Sequence, residues 1–205
     1  MTSLRPNPRH APATARNREP ILAVLCQVLP ERGLLLEISS GTGEHAAFMA
    51  PQLPGLEWQP SDANPEALVD IDGHSAGSGC DWIRRAVVLD ACAPVWPVAR
   101  ADAILCCNMI HIAPWTAAEG LFTGAARTLG TTAPLVLYGP FRRDGQHTAP
   151  SNAAFDESLK SRNPAWGVRC LDSEVQPLAT SVGFALDRVF PMPANNLTVV
   201  FRRGA

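Results

Sequence analysis

The order of apolar and polar positions along the chain predicts strands and helices in alternation. Up to residue 16 there is no apolar periodicity, and Pro and Arg recur, which predicts an extended arm. From Asn17, a residue suited to cap, Ile21, Leu22, Leu25, Val28 and Leu29 return at helical spacing around Pro20. They predict a first amphipathic helix that stops near Pro30. The run GLLLEI then reads as a buried strand that passes through the small-residue turn SSGTG into a helix. LEWQPSD and RRAVVLD read as strands two and three, ending on Asp62 and Asp90, with a short helix from Pro65 between them. ADAILCCNMIHI reads as a fourth strand running into Asn108 and His111. PWTAAEGLFTGAARTLG has the Pro start, spacing and Gly stop of a helix, and APLVLYG follows as strand five.

The stretch after Gly139 is polar and turn-rich, and reads as an insertion with helical segments on either side of Pro164. A helix from about Asp172 to Val182 leads to FALDRVF and LTVVFRR, whose separation by PMPANN predicts a terminal hairpin. The sum is an α/β fold: a Rossmann-like, mostly parallel seven-stranded sheet with a terminal antiparallel hairpin and helices on both faces. It is expected as a single domain over residues 17–205, preceded by the arm at 1–16.

A chain of 205 residues suits one core that buries roughly 70% of the unfolded surface. An apolar share of 46% with 18% charged residues excludes a disordered chain. No apolar run approaches a membrane span and the N-terminus lacks a signal-peptide core, so a cytoplasmic location with no membrane partner is expected. A net charge of −2 and a pI near 6.2 argue against a nucleic-acid partner. The six cysteines form no C-x-x-C pair and keep no regular spacing with the histidines, so no metal site is expected and reduced, structural thiols are.

In parallel sheets, ligands sit outside the carboxyl ends of the strands, at the point where strand order reverses. Glu37, Ser39, Gly41, Gly43, Asp62, Asp90, Asn108, His111 and Tyr138 all fall at or just past predicted strand ends, so the fold would deliver them to one crevice. Glycines at 41 and 43 let the backbone turn sharply and approach a ligand. A carboxylate such as Glu37 inside an apolar strand is costly unless it bonds ordered backbone or ligand. The turn alone does not decide the cofactor, because Ala46, three residues after Gly43, also satisfies a nicotinamide fingerprint.

With Glu37–Gly43 reading E-I-S-S-G-T-G, the chain resembles class I S-adenosylmethionine-dependent methyltransferases, whose first motif is an acid, an apolar residue and three alternating glycines. Ser39 stands where that family usually has its first glycine. The resemblance implies S-adenosyl-L-methionine as cofactor, with Asp62 as the ribose-binding acid and Asp90 as the adenine-contacting one. The wider string RNREPIL…YGPFRRDGQHTAPSNAAFD…PANNL is similar to an uncharacterised methyltransferase-like family of bacteria and animals. Turn formation is the alternative reading of Asp62 and Asp90.

Methyl transfer needs chiefly an in-line nucleophile held close, and a base only if the acceptor must lose a proton. His111 is the candidate base, with a satisfied structural histidine as its alternative; Tyr138 is the other catalytic candidate. Asn108 is followed by M-I-H rather than Pro-Pro-aromatic, which disfavours amino groups of DNA and protein as acceptors. A small-molecule acceptor is expected, met by Arg16 and Asn17 (with Arg18 and Glu19), by Arg142 and His147, and by Asn195 and Asn196. The competing readings are an NAD(P)-dependent oxidoreductase on a similar sheet and a non-catalytic cofactor-binding domain.

Overall fold

The computed structural model describes residues 8–204. Helix α1 (Pro12–Val28) opens the described chain, followed by β1 (Gly33–Ile38), α2 (Glu44–Met49), β2 (Leu56–Asp62) and α3 (Ala67–Gly77). Then come β3 (Val87–Val88), β4 (Ala103–Cys107), α4 (Trp115–Thr128) and β5 (Pro134–Gly139). A small hairpin of β6 (Arg142–Arg143) and β7 (Gln146–His147) leads to α5 (Pro150–Arg162). A turn of π-helix (Leu171–Val175) runs into α6 (Gln176–Ser181), and β8 (Phe184–Met192) and β9 (Asn196–Arg203) close the fold.

The seven-stranded sheet has the order β3-β2-β1-β4-β5-β9-β8. Its first five strands are parallel, while β9 lies antiparallel between β5 and β8. Strand order reverses between β1 and β4, which sets the crevice at the carboxyl ends of those two strands. Strands covered on both faces should be apolar throughout, and their two side-chain sets part cleanly. Leu36, Ile104, Leu135 and Leu137 pack with Phe122 of α4 and Ala179 of α6. Their neighbours Leu35, Leu105, Val136 and Tyr138 pack with Ile21 and Leu25 of α1 and Met49 of α2. Phe122 meets Phe184 and Phe201 edge-on at centroid distances of 6.0 and 5.4 Å, contacts of about 0.5–1.5 kcal/mol each that tie the terminal hairpin to α4.

The arm is shorter than the sequence pattern predicts. Residues 1–7 lie outside the described residues, and Pro12–Arg16 form the first turns of α1, with Pro12 where a missing N–H costs nothing. Asn17 is not a cap but a buried helix residue. Strand three also shrinks to Val87–Val88, because the sheet edge pairs only with Ser61 and Asp62 of β2. After Pro164 the chain stays irregular up to Cys170, where a second helical segment was expected. Among the described residues, no helix is long and apolar enough to cross a membrane.

Candidate functional site

The loop after β1 turns through three left-handed residues, Ser39 at φ 60°, Gly41 at 62° and Gly43 at 85°. Ser39 thus keeps the backbone path that a glycine takes there, at a strain of about 1–2 kcal/mol. A Cβ on Gly41 would point into open space, so the backbone there is bare toward the crevice. A Cβ on Gly43 would stand 2.6 Å from the Ile71 Cα of α3, which makes that glycine a packing requirement. From the end of β2, Asp62 accepts the Gly41 N–H through Oδ2 and the Asn64 N–H through Oδ1, both at 2.9 Å. Asp90 is exposed beyond β3 and accepts the Cys92 N–H at 2.9 Å. Both acids therefore do cap turns, and both retain lone pairs for a ligand.

Glu37 lies beneath this loop rather than facing the crevice. It is 1% exposed, and its Oε2 accepts the Ser40 hydroxyl at 2.9 Å and the Trp58 indole N–H at 3.0 Å. Burial pushes its carboxyl up to about 7 against the pull of those two donors. The side chain thus braces the loop through Ser40, and its two donors answer the need of a buried carboxylate for ordered partners. His45 Nδ1 stands 3.9 Å from Glu37 Oε1, and burial lowers the imidazole to about 4. His45 Nε2 is 2.9 Å from Asn17 Oδ1. Glu37, His45 and Asn17 thus form a buried polar cluster, and Asn17 also lines a cavity. His45 was not legible as part of the site, since nothing local in EHAAFM marks it.

Tyr138, at the carboxyl end of β5, opens into a cavity of about 580 Å³ that Arg16, Asn17, Asn108 and Asn196 also line. Asn108 is held left-handed at φ 61°, and across the cavity Ala194 and Asn195 are left-handed too, at 56° and 57°. Strain of this kind collects at sites that need a fixed shape. The hairpin turn is secured by the Asn152 side-chain amide, which donates to the Asn195 carbonyl at 2.9 Å. Sequence reasoning missed the wall supplied by α5, where Asn152, Phe155 and Arg162 face the cavity.

His111 does not reach this cavity. It is fully buried, with the Arg169 N–H donating to its Nδ1 at 3.2 Å and its ring edge-on to Phe141 at 4.9 Å. The proton therefore sits on Nε2, which is sealed against Gly139 and has no partner among the described residues. Burial, then the nearby Arg169 charge, lowers the imidazole to about 3. The base assignment is corrected: the lone pair is already engaged and the ring is walled in. Arg142 is likewise engaged elsewhere, bonded to Glu174 at 2.8 Å and the Val168 carbonyl at 3.0 Å. His147 pairs with Asp156 at 3.3 Å, and the Asn195 side chain reaches Ser151 at 3.4 Å. These three do not line the cavity. Cys106 is pushed up to about 12 by burial, which leaves it an inert core thiol.

The described end of the arm straps α2 to α3. Glu44 accepts the Ala11 N–H at 2.6 Å and faces His10 Nδ1 at 3.0 Å, while Asp70 takes the Arg9 side chain at 2.5 Å. His74 Nε2 lies 2.9 Å from the Arg9 carbonyl. His10, Glu44 and His74 bring possible metal-ligand atoms within 4.8 Å of one another, a grouping that the sequence spacing did not suggest.

A parallel sheet with one reversed strand, a left-handed glycine loop at its switch point and an acid at the end of each of the next two strands define a Rossmann-like fold of the methyltransferase type. The chain belongs to the family described as "Protein of unknown function (DUF938)", whose profile matches residues 8–203. Among solved structures it is similar to the S-adenosylmethionine-dependent methyltransferase SibL, with a TM-score of 0.77, 18% identity and coverage of 94% of this chain and 56% of that one. Human N-acetylserotonin methyltransferase in complex with SAM gives 0.76 and 16%, covering 94% and 53%. CalO1, a methyltransferase in calicheamicin biosynthesis in its SAH-bound form, gives 0.73 and 18%, covering 92% and 54%. The chain thus spans about half the length of each of these proteins.

Proposed function

We propose that this protein binds S-adenosylmethionine and transfers its methyl group to a small-molecule acceptor. The observation that carries the reading is a bare left-handed backbone at Ser39–Gly43, held by Asp62 at the end of the neighbouring strand, with Asp90 just past the strand after it, all on the carboxyl side of the sheet where Asn108 and Tyr138 line a cavity. The donor set fits the cofactor, because a ribose diol offers two hydroxyl donors to one carboxylate and Gly41 leaves room for close approach. When bound, that cofactor supplies an electrophilic methyl on a sulfonium. The protein's part is positioning, worth about 7–11 kcal/mol when reactants are well aligned. Asp62 holds the loop and offers the acceptor for the diol, Asn108 and Tyr138 shape the wall where an acceptor docks, and Glu37 keeps the loop in place from beneath.

Calorimetric titration with S-adenosylhomocysteine tests this. Binding to the wild type is expected, with Asp62→Ala weaker by about ten- to hundredfold and Asp62→Asn intermediate, while NADH and NADPH give no heat. Equal affinity in all three proteins would remove the ribose assignment, and binding of a nicotinamide cofactor instead would favour an oxidoreductase.

The strap formed by Arg9–Ala11 is part of the same proposal, as a lid that keeps water from charge-separated chemistry. Removing residues 1–11 leaves the core residues of α1 in place, so the melting midpoint should fall by less than about 5 °C. Affinity for S-adenosylhomocysteine should drop several-fold through a faster off-rate, read by surface plasmon resonance. An unchanged off-rate would rule out the lid.

A further inference from the structure

We propose that the methyl acceptor is a small carboxylic acid with an apolar body, methylated on its own ionised carboxylate, so that the step at this site needs no protein base. This rests on the methyltransferase reading.

Charge comes first. Arg16 and Arg162 both line the cavity, and among the described residues neither is paired with a carboxylate. No Asp, Glu, His, Lys or Cys is among its described lining residues. A guanidinium with no carboxylate partner matches a carboxylate in shape and charge, and two of them at one mouth repel an ammonium.

Polarity of the wall points the same way. Tyr138 and Asn17 stand together on the cavity wall, and the Asn17 Oδ1 is already taken up by His45 Nε2. Tyr138 adds a phenolic O–H to that wall, a donor that an anionic oxygen accepts. The body of the ligand is set by Ile112 and Phe155, large apolar side chains that are 41% and 38% exposed and both line the cavity. An apolar group seated there removes surface that water otherwise covers.

The missing base then limits the reacting atom. With His111 sealed behind Gly139, nothing on the described wall is suited to take the proton of an alcohol or a protonated amine. Thiols and phenols are mostly protonated at neutral pH, whereas a carboxylic acid is already ionised. In the step, a lone pair of the carboxylate oxygen forms the new C–O bond and the C–S bond breaks with its electrons kept by sulfur. The sulfonium charge and the carboxylate charge cancel, and no proton is released. The products are a methyl ester and the neutral thioether.

The test uses the full chain saturated with S-adenosylhomocysteine and matched probes: phenylacetate, 3-phenylpropanoate and octanoate, each against its primary amide and its chain-matched ammonium. Calorimetry should show the carboxylates bound at least about tenfold more tightly than the amides, with no ammonium binding. Arg16→Gln combined with Arg162→Gln should abolish that preference. With methyl-labelled S-adenosylmethionine and the tightest carboxylate, the label should enter a product that alkali hydrolyses to labelled methanol. Amides binding as well as carboxylates, a preference that survives the double substitution, or a label stable to alkali would each overturn the inference. Failure of S-adenosylhomocysteine to bind at all would instead overturn the methyltransferase reading on which it rests, so the two failures are separable.

Discussion

Replacing Gly43 with alanine is expected to destabilise the fold by about 2–5 kcal/mol, whereas the same change at Gly41, two residues earlier in the same loop, should cost only about 1–2 kcal/mol. Both residues are left-handed, so both variants carry the backbone strain of an L side chain there. The difference is what the new Cβ meets. At 43 it lies 2.6 Å from a backbone atom of α3 and 3.1 Å from the Ile71 side chain, so the helix must move away from the loop. That helix carries Asp70 and His74, and its displacement also loosens the strap. At 41 the Cβ enters open space, where the proposed cofactor approaches. Urea unfolding should therefore separate the two variants by about 1–4 kcal/mol, with Gly43→Ala the weaker fold. Titration with S-adenosylhomocysteine should find Gly41→Ala folded but at least about tenfold impaired. Equal stabilities would show that the loop and α3 are not in the contact described.

The contrast between the two glycines also shows what a sequence can carry. Both were legible as turn residues, because an apolar strand running into S-S-G-T-G leaves few other backbone paths. Strands β1 and β2 begin and end where the pattern predicts, β1 as an apolar run broken only by Glu37 and β2 as an alternation of apolar and polar residues bounded by turn residues. The same logic placed Asp62, Asn108 and Tyr138 at strand ends, and from there the sheet order brings them to one side of the molecule. What failed was whatever depends on the third dimension. Asn17 resembles a cap in sequence, yet a buried partner at His45 makes it an interior helix residue. Arg142 and His147 had the right chemistry, but Glu174 and Asp156, which lie 32 and 9 residues further along, claim them. The α5 wall was missed for the opposite reason: Asn152, Phe155 and Arg162 sit on a largely polar helix with little amphipathic signal, and only the tertiary fold turns that face toward the cavity.

His111 is the sharpest such case, and pH decides it. As a packed, neutral ring with its folded value near 3 against 6.5 in an unfolded chain, it makes the unfolded state the stronger proton binder between those values. The stability it contributes is fully present above pH 6.5 and is lost, by about 1.4 kcal/mol per pH unit, as pH falls toward 3. His45, lowered to about 4, acts in the same direction. Glu37, raised from 4.5 to about 7, opposes them: its contribution is present below 4.5 and is lost as pH rises to 7. Between pH 4.5 and 6.5 the two histidines outweigh the one carboxyl, and these groups together make stability rise by about 1.4 kcal/mol per pH unit. His111→Gln keeps a side chain able to accept the Arg169 N–H but cannot titrate, so its slope over that window should be lower than wild type by the same about 1.4 kcal/mol per unit. Urea midpoints and m-values measured at half-unit steps give the slope directly, and comparing slopes cancels every other carboxylate as well as any uniform loss of stability in the variant. Parallel slopes would mean that His111 titrates as it does in an unfolded chain, open to water, and would return it to the cavity as a candidate base.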